Sequence, residues 1–371
     1  TPKIQEDTII MERIFNFSAG PSILPEEVLL RAGGEILNYR GSGMSVMEMS
    51  HRSKIYGEII ERTEILFRSV LNIPKEYKVL FLQGGATLQF AMLPMNLLSG
   101  NGRADYVITG HFSEKAYEEA CRFGKTISVA ATGKEEKFAR IPEQKELKLD
   151  PKADYLHFCA NNTIYGSAWK YVPVTGGVPL AVDMSSCILS EPVDVSRYGV
   201  IYAGAQKNVA PAGLALVVIR EDLLRDPLPG TPTMLNYSVQ AKSGSMYNTP
   251  PCWPIYVAML VLEWLESLGG LAEMQKRNRE KAALLYDCLD SMDFYKTFIR
   301  PEDRSMMNVT FTTGGEALDD RFIKEGAARG LSNLKGHKVL GGMRASIYNA
   351  MPRIGVEKLA AFMKEFAEAN R

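Results

Sequence analysis

The stretch Val200-Ile-Tyr-Ala-Gly-Ala-Gln-Lys-Asn208 decides how this chain is interpreted, because an apolar run ends there in small residues and a lysine. A second apolar run, Pro179-Leu-Ala-Val-Asp-Met-Ser-Ser186, ends in an aspartate. Ligands of open parallel sheets bind outside the carboxyl ends of the strands. If both runs are neighbouring strands, the Asp183 carboxylate and the Lys207 amine face one crevice.

Together with this pair, the sequence contains seven short apolar runs, at residues 78–82, 105–109, 126–130, 154–158, 180–182, 200–203 and 214–219. Near-continuous apolar runs are typical of strands buried on both faces. The helical stretches between them, such as residues 113–123, fit right-handed crossover connections. The sequence therefore predicts an α/β fold with a mostly parallel sheet of about seven strands.

The remaining segments predict the domain organisation. Residues 25–71 read as mostly helical, and residues 225–254 as a long ordered loop, which is usually functional. After a helix over residues 255–268, helices alternate with a few short strands. We expect residues 1–10 to be a leader or an extension, residues 11–265 a large α/β domain with the N-terminal segment, and residues 266–371 a smaller C-terminal α+β domain.

Composition argues against several classes of protein. Lys and Arg total 43 and so do Asp and Glu, so the chain lacks the basic excess that nucleic-acid binding needs. No apolar run reaches the roughly 20 residues that span a membrane. Five scattered cysteines without a CxxC pair favour a cytoplasmic protein, and the four histidines lack metal-ligand spacing, so we expect no metal.

The paired acid and amine favour pyridoxal phosphate as a cofactor. A lysine forms a Schiff base with its aldehyde, and a carboxylate holds its protonated pyridine nitrogen. Taken singly, Asp183 could be a helix N-cap and Lys207 a surface lysine. Their joint position at successive strand ends favours the chemistry, since a partly buried site also lowers the pKa of the lysine.

Three further strand ends carry candidate ligands. In Gln83-Gly-Gly-Ala-Thr-Leu-Gln-Phe90 the glycines and a helix start predict a phosphate site, although a plain glycine-rich turn remains the alternative. In Ala160-Asn-Asn-Thr-Ile-Tyr-Gly166 the Thr163 hydroxyl could bond a ligand, or only shape a turn. In Gly110-His-Phe-Ser113 the Phe112 ring could stack on a planar ligand, or lie in the core.

Basic residues occur in three separate places: His51-Arg52, His337-Lys338 and Arg344. Arginine binds carboxylate and phosphate with two parallel hydrogen bonds. For each of these residues taken singly, a surface charge or a helix cap is the alternative.

Taken together, these motifs resemble those of the phosphoserine aminotransferases, which are class V pyridoxal-phosphate enzymes of fold type I. The resemblance runs from about residue 14 to the C-terminus. It is carried by Phe15-Asn-Phe-Ser-Ala-Gly-Pro21, Ser45-Val-Met-Glu-Met-Ser-His-Arg52, Val200 to Asn208, Tyr247-Asn-Thr-Pro-Pro251 and Gly341-Gly-Met-Arg-Ala-Ser-Ile-Tyr-Asn-Ala350. It implies the fold type I transferase architecture and a homodimer with active sites at the subunit interface.

The resemblance also implies residue roles. Lys207 would be the Schiff-base lysine and proton shuttle, and Asp183 would pair with the pyridine nitrogen. The other cofactor-binding residues would be Ala86, Thr87, Phe112, Thr163 and Gln206, with Asn248 and Thr249 reaching the cofactor phosphate from the partner subunit. Arg344 would bind the substrate α-carboxylate. The phosphate of the substrate would lie among His337, Lys338 and, from the partner subunit, His51 and Arg52. Arg52 would also bind the side-chain carboxylate of glutamate.

Two positions depart from the family pattern. The family commonly has tryptophan where Phe112 stands, and phenylalanine stacks with less area. The family often has arginine where Lys338 stands, and lysine keeps the charge but loses the fork that binds phosphate.

The activity that the resemblance implies is transfer of an amino group from L-glutamate to 3-phosphohydroxypyruvate, in serine biosynthesis. The related phosphohydroxythreonine reaction of vitamin B6 synthesis stays open. A cysteine desulfurase would need a mobile nucleophilic cysteine, and an alanine–glyoxylate aminotransferase would not need the basic residues around His51 and His337. A nucleotide-binding dehydrogenase would need a GxGxxG turn that is lacking here. A catalytically silent scaffold would not need both Lys207 and Asp183.

Overall fold

The computed structural model describes residues 13–370, so the expected leader at residues 1–10 lies outside the described part. The strands are β1 (Phe15–Asn16), β2 (Tyr77–Leu82), β3 (Arg103–Ile108), β4 (Thr126–Thr132), β5 (Tyr155–Cys159), β6 (Asn161–Asn162), β7 (Ser167–Ala168), β8 (Leu180–Asp183), β9 (Val200–Gly204), β10 (Ala215–Arg220), β11 (Lys296–Thr297), β12 (Asn308–Thr312), β13 (Leu331–Ser332) and β14 (Met343–Ser346). The α-helices are α1 (Glu26–Gly34), α2 (Lys54–Leu71), α3 (Gly85–Leu97), α4 (His111–Cys121), α5 (Tyr237–Lys242), α6 (Cys252–Ser267), α7 (Gly270–Asp290), α8 (Glu316–Ala328) and α9 (Arg353–Ala369).

The central sheet has seven strands in the order β2-β10-β9-β8-β5-β3-β4. Only β10 runs antiparallel, between β2 and β9, whereas the neighbours from β9 to β4 are parallel. Each of the seven predicted runs forms one of these strands, with ends that differ by at most two residues. The predicted α/β architecture with a mostly parallel sheet is confirmed.

The sheet is covered on both faces, which explains why its strands read as continuous apolar runs. Along β2, Val79 and Phe81 pack with α2 and α6 in one core. The alternate residues Leu80 and Leu82 pack with α3 and α4 in a second core on the other face. Because successive side chains of a strand point to opposite faces, each strand contributes to both cores.

A further core lies in the C-terminal part of the chain. It joins the end of α7, α8, α9 and the antiparallel sheet β11-β12-β14. Phe17 and Ile23 from near the N-terminus are buried in the same core, and β1 pairs in parallel with β13. The division at residue 265 into a large and a small domain stays a prediction.

The long loop predicted at residues 225–254 is ordered and contains one α-helix, α5, that its polar composition did not predict, and α6 begins within its last three residues. Helix α5 begins after Asn236, whose Oδ1 accepts a hydrogen bond from the N–H of Ser238 over 2.8 Å. Asn96 of α3 holds the same segment, accepting from the N–H of Tyr237 and donating to the carbonyl of Leu235, both over 2.8 Å. Side-chain capping and a distant asparagine therefore shape this loop.

Within residues 13–370, none of the single helices combines the length and apolar character needed to cross a membrane. Helices α6 and α7 reach the required length and composition only as a pair, and they are bent by 83° relative to each other.

Candidate active site

Lys207 and Arg344 meet at one residue, Thr163. The Nζ of Lys207 donates a hydrogen bond to Oγ1 of Thr163 over 2.8 Å. Nη1 of Arg344 donates to the backbone carbonyl of the same threonine over 3.3 Å. Lys207 follows β9, Thr163 follows β6 just beyond the end of β5, and Arg344 lies on β14. Three predicted site residues from distant parts of the chain are thus in contact.

Lys207 has an environment that favours a neutral amine. Burial lowers the pKa of its amine to about 8, and the positive charge of Arg344 acts in the same direction, while the charge of Asp183 opposes it. The ring of Phe112 lies 5.7 Å from Nζ, measured to the ring centroid. With 37 % of its surface exposed, this ring is available to a planar ligand placed on the lysine.

Asp183 is the last residue of β8 and is buried. Its Oδ1 accepts the N–H of Ser185 over 2.8 Å, and its Oδ2 faces the thiol of Cys159 at 3.9 Å. Burial raises the pKa of the Asp183 carboxyl, whereas the hydrogen bonds from Ser185 and the charge of Lys207 work against that rise. A cationic ring nitrogen placed against this carboxylate would stabilise its ionised form.

The turn that carries Lys207 is held by residues 20–22, to which the sequence reasoning gave no role. The N–H of Ser22 donates to the carbonyl of Gln206 over 2.9 Å, and its hydroxyl donates to the carbonyl of Lys207. Gly20 has φ 146°, and a Cβ there would stand 3.5 Å from the Cγ atoms of Gln206 and Lys207. The Gly20-Pro21 pair after a short apolar run is the sequence signal that could have pointed to this contact.

The predicted phosphate site is the start of α3. Gly84 and Gly85 have φ 83° and 63°, a left-handed conformation that glycine adopts without strain. Ala86 and Thr87 lie in the first turn, whose backbone N–H groups lack partners within the helix. The side chain of Gln206 folds back over Gly204, where an added Cβ would stand 2.7 Å from Oε1. Free N–H groups at a helix start suit a phosphate.

Basic side chains gather around His337. Burial lowers the pKa of His337, as do the positive charges of Arg344, His111 and Lys338. The ring of His111 lies 6.1 Å from that of His337, measured between centroids. His111 opens α4 next to Phe112, and the sequence analysis considered only the phenylalanine at this strand end. A histidine just after the end of a strand, in a chain with four histidines, is the signal that was available.

His51 and Thr249 form a separate group. Nδ1 of His51 lies 3.1 Å from Oγ1 of Thr249, and the Thr249 carbonyl accepts from Nε2 of Gln83 over 3.0 Å. Arg52 and Asn248 beside them are exposed. Within residues 13–370, no hydrogen bond or ion pair joins His51, Arg52 or Thr249 to Lys207, Thr163 or Arg344, but Gln83 links Thr249 to the turn that opens α3. In one subunit the predicted site residues thus form two groups that meet at the start of α3.

The residues around Lys207 fit pyridoxal phosphate. They supply a neutral amine for an aldehyde, a buried carboxylate for a ring nitrogen, an aromatic face and a helix start for a phosphate. Nε of Arg344 is buried without a hydrogen-bond partner. A carboxylate that binds beside it would accept the hydrogen bond that Nε lacks. Across the described residues, His, Cys, Asp and Glu form no group of three or more that could hold a metal.

Known proteins share this architecture. Residues 14–359 match the family model of the class-V aminotransferases. The phosphoserine aminotransferase of Pseudomonas paraeruginosa is 54% identical over 355 residues, which are 96% of this chain and 98% of that protein. That of Bacillus cereus is 51% identical over 361 residues, covering 97% and 100%.

Solved structures agree with these relatives. The phosphoserine aminotransferase from Bacillus circulans subsp. alkalophilus superposes with a TM-score of 0.95 at 45% identity, covering 97% of this chain and 100% of that one. The pyridoxal-phosphate-bound phosphoserine aminotransferase from Trichomonas vaginalis gives a TM-score of 0.91 at 39% identity, covering 95% and 100%.

The fold and the site thus define a class-V aminotransferase with the fold type I architecture. Within that class, the chain belongs to the phosphoserine aminotransferase family, as the resemblance of its motifs indicated. A nucleotide-binding dehydrogenase is excluded by this membership.

Proposed function

We propose that this chain is a pyridoxal-phosphate-dependent phosphoserine aminotransferase. It transfers the amino group of L-glutamate to 3-phosphohydroxypyruvate, giving O-phospho-L-serine and 2-oxoglutarate. The observation that carries the proposal is the contact of Lys207 and Arg344 with the two sides of Thr163. An α-amino acid needs a base near its α-carbon and a cation at its carboxylate, and these two side chains meet at one residue.

Lys207 acts first as the point of attachment and then as the base. A pKa near 8 leaves a substantial neutral fraction at physiological pH, so the amine can accept the α-proton of the substrate and would return it to the former aldehyde carbon of the cofactor, on the far side of the amino nitrogen. When bound, pyridoxal phosphate supplies an electron-accepting ring for the pair released at the α-carbon. Asp183 would keep a proton on the ring nitrogen, and the positive charge makes the ring a stronger electron acceptor.

The remaining cofactor contacts are those that the family resemblance implies. Thr163 offers its hydroxyl to the ring oxygen, and Phe112 covers one ring face. The backbone of Ala86 and Thr87, with Gln206, holds the cofactor phosphate at the start of α3. The partner subunit's Asn248 and Thr249 complete that phosphate site.

Substrate recognition uses the cations. Arg344 binds the α-carboxylate that both substrates carry, because its guanidinium has no ion-pair partner within residues 13–370. His337 and Lys338 bind the distal anion. His51 and Arg52 of the partner subunit approach the same anion, and Arg52 serves the glutamate side chain. The contact of His51 with Thr249 supports their acting together in one active site.

A homodimer would bring the two groups of site residues together. Seven large apolar side chains of residues 29–55, the segment that contains His51, are exposed in one subunit, namely Leu29, Leu30, Ile36, Leu37, Met44, Met47 and Ile55. Exposed apolar surface of this extent is typical of an interface with another chain. We therefore place the dimer interface on this N-terminal apolar patch, next to His51 and Arg52, and expect a cytoplasmic enzyme of serine biosynthesis.

A cysteine desulfurase is the alternative within the class, and the cysteines argue against it. Burial raises the pKa of Cys159, Cys187, Cys252 and Cys288, so these thiols resist forming the thiolate that such an enzyme needs. Cys121 is exposed at the end of α4.

Two sequential additions test the proposed reaction. L-Glutamate added to the purified holoenzyme is expected to bleach the visible band of the lysine-bound cofactor, and 3-phosphohydroxypyruvate to restore it. If only an unphosphorylated keto acid restored the band, the chain would still be an aminotransferase, but 3-phosphohydroxypyruvate would not be its substrate. A protein that develops no band with added pyridoxal phosphate would contradict the assignment at its first step.

A further inference from the structure

His111 lies at the active site without a role in the reaction as proposed. It is the first residue of α4, directly before Phe112, whose ring is 5.7 Å from Nζ of Lys207. Its own ring is 6.1 Å from the His337 ring, with 38° between the planes. At that distance the two imidazoles do not hydrogen-bond each other. Donors so spaced can each bond a different oxygen of one phosphate, with N···O distances of about 2.8 Å.

The cations around His111 outnumber the acids, although the hydrogen bond from Lys115 and the charge of His111 help to lower the pKa of Glu118. His111, Arg344 and Lys338 all disfavour protonation of His337 and thereby lower its pKa, after the larger effect of burial. Across the described residues, none of these four side chains forms an ion pair. The acids nearest along α4 are already engaged, Glu114 with Lys134 and Glu118 with Lys115, both over 2.9 Å. An anion that entered this cluster would relieve its mutual repulsion.

Lys338 alone is a weak anchor for a phosphate. Its ammonium is a point charge and lacks the fork with which arginine binds two phosphate oxygens. Lys338 is also exposed, whereas His111 and His337 are partly buried. A second imidazole at the start of a helix, where the helix dipole favours negative charge, supplies a donor that the lysine does not.

We infer that His111 binds the phosphate group of the phosphorylated substrate together with His337, and is a specificity-determining residue of this enzyme. The inference rests on the proposed function. A phosphate offers three oxygens and up to two negative charges, whereas the glutamate side chain offers two oxygens and one charge. His111 therefore contributes more to binding of O-phospho-L-serine and 3-phosphohydroxypyruvate than to binding of glutamate.

The test compares both half-reactions in wild-type holoenzyme and in His111→Asn. Single-turnover bleaching of the cofactor band gives the dissociation constant of each amino acid. For O-phospho-L-serine we expect a rise of about tenfold, as for loss of one hydrogen bond to a charged group. For L-glutamate we expect a change within about twofold. His111→Gln, which keeps a donor of greater reach, should recover part of the loss.

Lys125→Gln is the matched control, because it removes a positive charge from an exposed residue just after the same helix and leaves the Lys115–Glu118 pair intact. It should leave both constants unchanged. Inorganic phosphate, as a competitor of O-phospho-L-serine, should inhibit His111→Asn several-fold less than wild type or Lys125→Gln. Equal losses for both amino acids, or no loss for either, would overturn the role of His111. Failure of wild-type enzyme to act on O-phospho-L-serine would instead overturn the proposed function.

Discussion

The backbone N–H of Asn349 donates a hydrogen bond to Oδ1 of Asn208 over 3.0 Å. Asn208 directly follows the active-site lysine, and Asn349 lies five residues beyond Arg344. The side chain of Asn349 is fixed in turn by Asn278 of α7, over 2.9 Å. The relative position of Lys207 and Arg344 is thus set by buried hydrogen bonds that lie behind the site.

Lys281 stabilises the same loop, and its loss should be costly. Its buried Nζ lies 2.6–3.2 Å from the backbone carbonyls of residues 347, 348, 349 and 351. Lys281→Met leaves these acceptors unsatisfied, so we expect the free energy of unfolding to fall by about 3 kcal/mol or more. Urea unfolding of the holoenzyme measures it. Lys276→Met, at an exposed position of the same helix, should change it by less than about 0.5 kcal/mol; equal effects would contradict the role of Lys281.

Attachment of the cofactor should depend on pH through Lys207. The neutral amine is the nucleophile, and burial sets its pKa at about 8. The rate at which apoenzyme reacts with pyridoxal phosphate should therefore rise with pH and level off above about 8. Stopped-flow absorbance across this range gives the midpoint.

Two variants test the origin of that midpoint. Arg344→Gln removes a charge that lowers the pKa of Lys207, so the midpoint should move to higher pH. Asp183→Asn removes a charge that raises it, so the midpoint should move to lower pH. Shifts in the same direction for both variants are incompatible with this electrostatic account.

Replacement of Lys207 should abolish turnover. Lys207→Ala removes both the attachment point and the base, and Lys207→Arg keeps only the charge, so each should lose activity by several orders of magnitude. Borohydride reduction of wild-type holoenzyme should fix the cofactor to the peptide that contains residue 207, as mass spectrometry can establish. Cofactor found on another lysine would refute the assignment.

Arg344→Ala should weaken the binding of both substrates, because both carry an α-carboxylate. Loss of a charge-assisted pair costs about 1.5–3 kcal/mol, so the KM for glutamate and for 3-phosphohydroxypyruvate should each rise about 10- to 100-fold. Arg344→Lys keeps the charge and should fall between alanine and wild type. An effect confined to one substrate would remove the proposed role.

The apolar patch on the N-terminal segment should govern assembly. Leu30 and Leu37 are 68% and 83% exposed in one subunit, so a charge there would be buried in the proposed dimer. The double variant Leu30→Asp, Leu37→Asp should sediment as a monomer and lose activity as it is diluted. Val174→Asp, 67% exposed outside the patch, is the control and should behave as wild type. A dimer unaffected by the double variant would place the interface elsewhere.

The sheet and its two marker residues could be predicted from sequence because their signals are local. Strands buried on both faces read as apolar runs, and a polar residue at the end of such a run stands out, as Asp183 and Lys207 did. The start of α3 was found for the same reason, through Gly84 and Gly85. The roles of all the predicted site residues, Ala86, Thr87, Asn248 and Thr249 among them, stay predictions.

The contacts behind the site could not be predicted because they join distant residues. Ser22 holds the carbonyl of Lys207 across 185 positions, and Lys281 reaches a loop 66 to 70 positions away. Neither a serine nor a lysine has a local pattern that separates such a contact from an exposed side chain. No role was predicted for His111, because stacking of the neighbouring Phe112 on a ligand was already a sufficient role for the residues after β3.

The parallel pairing of β1 with β13 has a consequence for biosynthesis. Phe15 pairs with Leu331, and Ser22, a few residues later, holds the carbonyl of Lys207. While the ribosome is still making the central sheet, the partner strand of β1 does not yet exist. Domains otherwise fold in N- to C-terminal order during synthesis. In this chain β1 reaches its final place only once β13 has been translated, so a competent cofactor pocket awaits the synthesis of residues 331–332.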